Sequence, residues 1–302
     1  MKKLNIIMID AFKSSYLEHA PFLKSLTERY QYGELDMGLG HWRGVQILFE
    51  GNSNIISTFY KNENHNQNKS SLNYLKYFIF LKYFGEFGRF LIDILFNLPR
   101  LIKGYELIRT GNTPIDGLYK FDVSINRHPA KKNNIHFIYF SELDKLGHKY
   151  GTKSPELINE IKKLDKKIYK LVSKMDFDLI FSDHGMVDIE KIISVPITKN
   201  CFIDSDMARY WGNKEELEKI KKQLPIEDGN IIKWDKKYGQ LILLVNTGVL
   251  IFPNFWNKKP VKAMHGYDGK SKGMKAFYLI KQIGNRKDLK VEELHEILKQ
   301  SF

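Results

Sequence analysis

Three short apolar runs along this chain end in the same way. Leu4–Ile9 runs straight into Asp10, His136–Phe140 is followed closely by Asp144, and Asp178–Ser182 runs into Asp183. Runs of this length, rich in β-branched and aromatic residues, predict buried strands. Between them the spacing predicts helices over Ser15–Tyr30, Pro155–Lys174 and Lys214–Leu224. Short strands alternating with helices predict an α/β fold, with a largely parallel central sheet flanked by helices. In such sheets ligands bind outside the carboxyl ends of the strands. All three aspartates stand at that edge. Further on, Gln240–Asn246 and Val249–Phe252 read as two strands about a Thr247-Gly248 turn, Lys275–Ile280 as another strand and Val291–Gln300 as a closing helix.

The alternation breaks between Thr58 and Lys132. A polar tract, NENHNQNKSS, opens this stretch, and Leu72–Leu98 is dense in Phe, Tyr, Leu and Ile. On a helix, Lys82, Glu86, Arg89 and Asp93 fall within about 60° of one another. Their signs alternate at i,i+4 spacing, which gives a narrow, neutral polar stripe on an otherwise apolar helix. Pro99 ends or kinks it. A membrane-surface helix carries a cationic stripe, so a helical cap is the favoured reading over membrane contact. The expected division is a core over 1–57 and 133–302, with an inserted aromatic-rich helical cap over 58–132.

Composition narrows the function classes without choosing one. The formal charge is +13, which fits either a solvated lysine-rich face or attraction of an anionic partner. The charges are dispersed and no nucleic-acid motif appears, so a specific nucleic-acid partner is not expected. The single cysteine, Cys201, excludes an internal disulfide and fits a reducing compartment. The apolar run after MKK reads as a buried strand, not a signal-peptide core. No uncharged stretch of membrane-spanning length occurs. A cytoplasmic location is expected.

The residues that carry chemistry sit at the predicted strand ends. Ser182-Asp183-His184-Gly185-Met186 follows a strand directly, so a carboxylate and an imidazole stand side by side with a glycine that lets the backbone approach. Asp144 and His148 place the same pair four residues apart, and His265-Gly266-Tyr267-Asp268 adds a third imidazole. With Asp10 these make three carboxylates and three imidazoles without sulfur. That donor set suits two divalent ions, zinc foremost and manganese next. Two such ions clamp the attacking and leaving oxygens of a phosphoryl transfer.

A strand ending in Asp, then Asp-x-x-x-His, Ser-Asp-His-Gly-Met and a late His-Gly-Tyr is an ordered set. It resembles the type I phosphodiesterase and nucleotide pyrophosphatase family of the alkaline phosphatase superfamily. The resemblance covers Asp10 to about Phe277 and leaves the insert poorly matched. It implies an alkaline-phosphatase-like core, with one metal on Asp10, Asp183 and His184 and the other on Asp144, His148 and His265. The segment Phe202–Arg209 also resembles short members of the family. Arg209 is a candidate to steady a substrate phosphate or is a plain structural arginine.

One position departs from the family. Its Ser or Thr nucleophile stands about ten residues before a glycine. In GLGHWRGVQILFEG, counting back from Gly51 gives His41, and no Ser, Thr or Cys occurs between Thr27 and Ser53. Three accounts follow. His41 attacks phosphorus itself, His41 binds metal while water attacks, or catalysis is lost. Arg43 is a candidate phosphate contact through a forked hydrogen bond. The reading is a metal-dependent hydrolase of a phosphodiester or pyrophosphate, acting on a phosphorylated small molecule or a lipid-linked one. Its rivals are a phosphoryl or substituted-phosphoryl transferase or phosphomonoesterase on the same scaffold, and a metal-retaining binding protein. A basic surface binder ranks below these.

Overall fold

Side-chain alternation along the first strand, β1 (Leu4–Ile9), sorts the core into two layers. Leu4, Ile6 and Met8 enter one apolar cluster, and Ile7 and Ile9 enter another on the opposite face. Successive strand residues point to opposite faces, so a strand buried on both sides reads as an unbroken apolar run. That is why Leu4–Ile9 was legible. The computed structural model describes residues 4–40, 43–57, 121–125 and 135–300. The chain divides into two units. One comprises Met1–Ser53, Ile115–Asp188 and Val261–Phe302, and the other comprises Asn54–Pro114 and Ile189–Pro260.

The first unit is built on a seven-stranded sheet. Its further strands are β2 (Tyr30–Asp36), β3 (Phe121–Ile125), β4 (Ile135–Phe140), β5 (Leu179–Phe181), β6 (Ala276–Ile283) and β7 (Leu289–Lys290). The spatial order is β7-β2-β6-β5-β1-β4-β3. The pairs β5/β1, β1/β4, β4/β3 and β7/β2 are parallel, while β6 runs antiparallel to both β5 and β2. The expected alkaline-phosphatase-like α/β core with a largely parallel sheet is present. The register sets Met8 beside Tyr139 and Ile9 beside Phe140, so β1 and β4 end level with each other.

Helices cover both faces. Ile47, Leu48 and Phe49 of α2 (Arg43–Glu50) share one cluster with Leu294 and Leu298 of the closing helix Val291–Gln300. On the other face lies α4 (Pro155–Val172), which follows α3 (Glu142–Tyr150). Leu157, Ile161, Leu164 and Ile168 of α4 form one buried stripe, at the spacing of a helix with one apolar face. Its N-terminus is capped by Ser154, whose side chain accepts from Leu157 N, with Pro155 in the first turn.

One sequence expectation is corrected. The helix expected over Ser15–Tyr30 is a 3-10 helix over Ser14–His19 followed by α1 (Pro21–Leu26), and Tyr30 already opens β2. Pro21 accounts for the break, because it has no N–H to continue the preceding turn but suits the first turn of a new helix. Both strands about Thr247-Gly248 are present, in different sheets. Leu241–Val245 lies in a four-stranded antiparallel sheet of the second unit, whereas Val249–Ile251 pairs in parallel with Lys191–Ile193. Residues 189–260, expected in the core, cluster in the second unit. The expected cap over 58–132, including its Leu72–Leu98 helix, lies outside the described residues except for Phe121–Ile125, which is β3. Cys201 is buried and bonded to Thr198, in keeping with a structural residue.

One buried carboxylate ties two of these helices together. Nothing at Ala20 caps α1. Asp165 of α4 does so from outside, its oxygens accepting from Phe22 N at 3.0 Å and Leu23 N at 2.9 Å. Those are N–H groups the helix itself leaves unsatisfied. Asp165→Ala is expected to lower unfolding stability by about 1–3 kcal/mol, the cost of stranding buried donors. Lys166→Ala, exposed on the same helix, should stay within about 0.5 kcal/mol. Urea titrations of the two variants test the difference.

Candidate functional site

Two loops at the carboxyl edge of the sheet are laced together by a single hydroxyl. Beyond β1, Asp10 N donates to Phe140 O at 2.9 Å. Ala11 then turns the chain with φ +58°, a left-handed conformation uncommon outside glycine. That turn presents Ala11 N to Asp183 Oδ1 at 3.4 Å and Phe12 N to Ser182 Oγ at 2.9 Å. Ser182 Oγ in turn donates to His184 O at 2.8 Å. Gly185 follows, its N–H on Met274 O at 2.8 Å. A Cβ there would collide with the carbonyl oxygens of Gly273 and Lys275, so the motif glycine is needed for close backbone approach.

The other residues arrive on separate elements. After β4, α3 carries Asp144 and His148 one turn apart, with His148 Nε2 3.1 Å from Asp144 Oδ1. The short strand Ala263–Met264 pairs antiparallel with Val187–Asp188, just beyond the Ser182–Met186 loop, and delivers His265. The rings of His184 and His265 stack at 3.7 Å with 7° between planes, and His148 lies 5.1 Å from His265. Asp10, Asp183 and His184 thus form one group and Asp144, His148 and His265 another. In each, the possible ligand atoms lie within 4.8 Å of one another.

The carbonyl partners of two rings set their tautomers. His148 Nδ1 is 2.8 Å from Ala263 O, and His184 Nδ1 is 3.0 Å from Gly185 O. A carbonyl only accepts, so each Nδ1 carries a proton and each neutral ring keeps its lone pair on Nε2. Yet these Nε2 atoms face carboxylates. His184 Nε2 lies 3.3 Å from Asp10 Oδ1 and 3.4 Å from Asp183 Oδ2, and His265 Nε2 lies 3.4 Å from Asp144 Oδ1. A lone pair against a carboxylate oxygen is repulsive unless a proton or a metal cation stands between them. Protonating both stacked rings would set two imidazolium ions face to face. Divalent ions remove the conflict, and an Nδ1–H donated to a backbone carbonyl is the usual support of a metal-ligating histidine. The donor set fits the metals the motifs imply.

Burial strengthens the demand. Asp10 is held well above the ordinary aspartate range, first by burial and then by the charges of Asp183 and Asp144. Asp183 is raised as well, mainly by burial. The group borders a cavity of about 270 Å³, whose other walls include Met37, Gly38, Gly40, Tyr139 and Tyr267.

The remaining predicted residues lie on other elements. Arg43, the first residue of α2, donates from Nε to Ser53 O at 3.1 Å, and its guanidinium lies against Gly38 at the cavity wall. Arg209 belongs to the second unit and is fully buried. It donates to Asp204 Oδ2 at 3.1 Å, Tyr238 O at 3.1 Å and Ser57 Oγ at 2.9 Å, and it lies over the Phe202 ring. This corrects the phosphate-contact expectation in favour of a structural arginine. His41 lies outside the described residues. Sequence reasoning missed Tyr139, whose hydroxyl donates to Asp10 Oδ2. Its place in an apolar strand hid it, and only the register of β1 with β4 brings it level with Met8, beside Asp10.

The raised carboxylates give a signed expectation for metal-free protein. A carboxyl whose folded pKa exceeds its unfolded value near 3.8 binds its proton more tightly when folded. Stability is therefore greatest below the unfolded pKa and falls as pH rises through the folded one. Asp10→Asn keeps an acceptor for Tyr139 and offers Nδ2–H to His184 Nε2. In chelator at neutral pH it should melt roughly 2–4 °C higher than wild type, about 1 kcal/mol at this size, with the gain shrinking towards acid. Thermal melts across pH check it.

The pattern of the family described as Type I phosphodiesterase / nucleotide pyrophosphatase matches residues 109–231. That span includes Asp144, His148, Asp183 and His184 and leaves Asp10 and His265 outside. Among solved structures, human ectonucleotide pyrophosphatase / phosphodiesterase 5 is similar at a TM-score of 0.72 and 15% identity, over 99% of this chain and 94% of that one. An inactive form of the murine protein, in complex with AMP, gives 0.71 and 15% over 99% and 94%. At that identity the likeness shows the shared fold. Over residues 109–231 this chain is similar to the type I phosphodiesterase / nucleotide pyrophosphatase family, and it shares the fold of the ectonucleotide pyrophosphatase / phosphodiesterase 5 structures.

Proposed function

We propose that this protein is a metal-dependent hydrolase that cleaves a phosphodiester or pyrophosphate bond in a phosphorylated small molecule. The observation that carries the reading is the pair of triads at one sheet edge, whose imidazole Nε2 atoms face carboxylates across 3.1–3.4 Å. Asp10, Asp183 and His184 would hold one divalent ion, and Asp144, His148 and His265 the other. Nitrogen and oxygen donors without sulfur favour zinc. Such ions supply Lewis-acid neutralisation of charge on phosphoryl oxygens.

The chain's own groups account for the rest of the chemistry. Arg43, against Gly38 at the cavity wall, is suited to orient a phosphoryl oxygen opposite the carboxylates. His41 takes the nucleophile slot. In that role one imidazole nitrogen attacks phosphorus, the bond to the leaving oxygen breaks, and water later releases the phosphoryl group. AMP bound by the murine relative supports a nucleotidyl substrate over a lipid-linked one.

Two measurements test this. Reconstituted protein should approach two ions per chain, and Asp183→Ala and His265→Ala should each lose one; full content in both would sink the ligand assignment. Metal-loaded protein should cleave bis-nitrophenyl phosphate in preference to nitrophenyl phosphate, and chelator should abolish the activity. The reverse preference would favour a phosphomonoesterase. His41→Ala should cost about 10³-fold or more in turnover if the imidazole attacks, with an acid-labile phosphoryl adduct trapped on wild type. A variant that keeps its rate shows direct attack by water.

A further inference from the structure

The two oxygens of Asp10 have different occupations. Oδ2 accepts the hydroxyl proton of Tyr139. Oδ1 accepts no hydrogen bond and lies 3.3 Å from His184 Nε2. Tyr139 is delivered by the parallel neighbour strand, level with Met8, and Asp10 N is bonded to Phe140 O at 2.9 Å. The phenol and the carboxylate are therefore fixed to adjoining backbones. Asp183 repeats the division. Its Oδ1 accepts Ala11 N at 3.4 Å, and its Oδ2 lies 3.4 Å from His184 Nε2.

We infer that Tyr139 is a positioning residue that makes Asp10 a one-oxygen ligand and so keeps the Asp10–Asp183–His184 site at low coordination number. The inference rests on the metal reading above. An ionised carboxylate free to rotate presents either oxygen, or both, to a cation. With Oδ2 held by a phenol O–H, swinging both oxygens inward means breaking a charge-assisted hydrogen bond in a buried place. The triad then offers three atoms: Asp10 Oδ1, Asp183 Oδ2 and His184 Nε2. Three protein ligands suit a four-coordinate ion such as zinc and leave one position for substrate. They disfavour a larger ion that takes both oxygens of a carboxylate. Tyr139 also keeps its own proton committed to Asp10, so it does not serve as the acid of the reaction.

The test is metal binding read apart from activity. In competition with a graded chelator, wild type should release two ions. Tyr139→Phe, which removes one oxygen and keeps the ring, should weaken one of them about 10–100-fold, the usual cost of losing a ligand's supporting hydrogen bond, and leave the other unchanged. Cobalt-loaded Tyr139→Phe should show weaker visible absorption than wild type, as Oδ2 joins the ion and coordination rises. A double-mutant cycle adds a readout that mere packing would not move. In Asp10→Asn the phenol holds the amide oxygen and turns Nδ2 towards the ion, so adding Tyr139→Phe frees the amide to flip and should recover part of the lost affinity. Simple additivity in the cycle, or two unchanged affinities with an unchanged cobalt spectrum, overturns the role of Tyr139. Wild type that binds no metal overturns both this inference and the reading beneath it. Tyr139→Met, of similar volume and without a donor, stands in should the phenylalanine protein not fold.

Discussion

Three carboxylates and three imidazoles face one another at the end of a sheet, and the rest of the first unit is arranged around that cluster of charge. Left to themselves such groups would rotate outward and find water. They are kept in place because they come from four separate places in the fold: Asp10 from the end of β1, Asp144 and His148 from α3, Asp183 and His184 from the loop after β5, and His265 from the residue after Ala263–Met264. The supporting bonds all go to the sides facing away from the cluster. His148 Nδ1 and His184 Nδ1 turn to carbonyls, Asp183 Oδ1 to Ala11 N and Asp10 Oδ2 to Tyr139. The backbone is strained to the same end, with Ala11 at φ +58°. Strain and clustered charge of this kind persist only where surrounding packing over-determines them. Here that packing is the pair of apolar layers on either face of the sheet.

This arrangement explains which parts of the site could be read from the residues alone. β1, β4 and β5 are buried on both faces, so their sequences are continuous apolar runs, and the aspartates that close them stand out by contrast. His265 had no such flag. It follows a two-residue strand, too short for any period, and only its place in the family order singled it out. Tyr139 was invisible for the opposite reason, since an aromatic residue within an apolar run looks like core. The broken helix near Pro21 and the unexpected β2 have a common cause. Residues Tyr30–Asp36 alternate between buried and half-buried positions on a strand that carries glycine and charge, and only pairing with β6 makes such a sequence a strand.

Arg209 shows the limit of reasoning by motif segment. Its neighbourhood, with Asp204, Ser205 and Asp206 all buried, looks like a ligand site in sequence because polar residues are dense there. In the structure that density serves a different need. Asp204 accepts from Arg209 and from Trp256 Nε1 at 2.8 Å, while the guanidinium packs between Phe202 and Trp211. A buried charge requires several partners at once, so polar residues cluster in sequence around a structural arginine as readily as around a catalytic one. Burial, which the sequence does not state, separates the two cases.

The cavity has a second side whose electrostatics oppose the first. Gly38 and Gly40 line it with φ of +74° and +99°, conformations that glycine adopts without penalty. The chain then enters α2 at Arg43, a helix with no acidic residue in its first turn. A helix N-terminus carries partial positive charge from unsatisfied N–H groups, and Arg43 adds a full one. The far end of α2 is anchored, with His295 Nδ1 2.9 Å from Leu48 O and its ring against Gly51. A helix fixed at its C-terminus and packed along one face cannot slide, so its N-terminus keeps its place relative to β1. The carboxylates and imidazoles line one side of the cavity, and the positive charge of Arg43 lies behind Gly38, which lines it elsewhere, so groups of opposite charge are held apart by a glycine-bearing segment that no side chain fills.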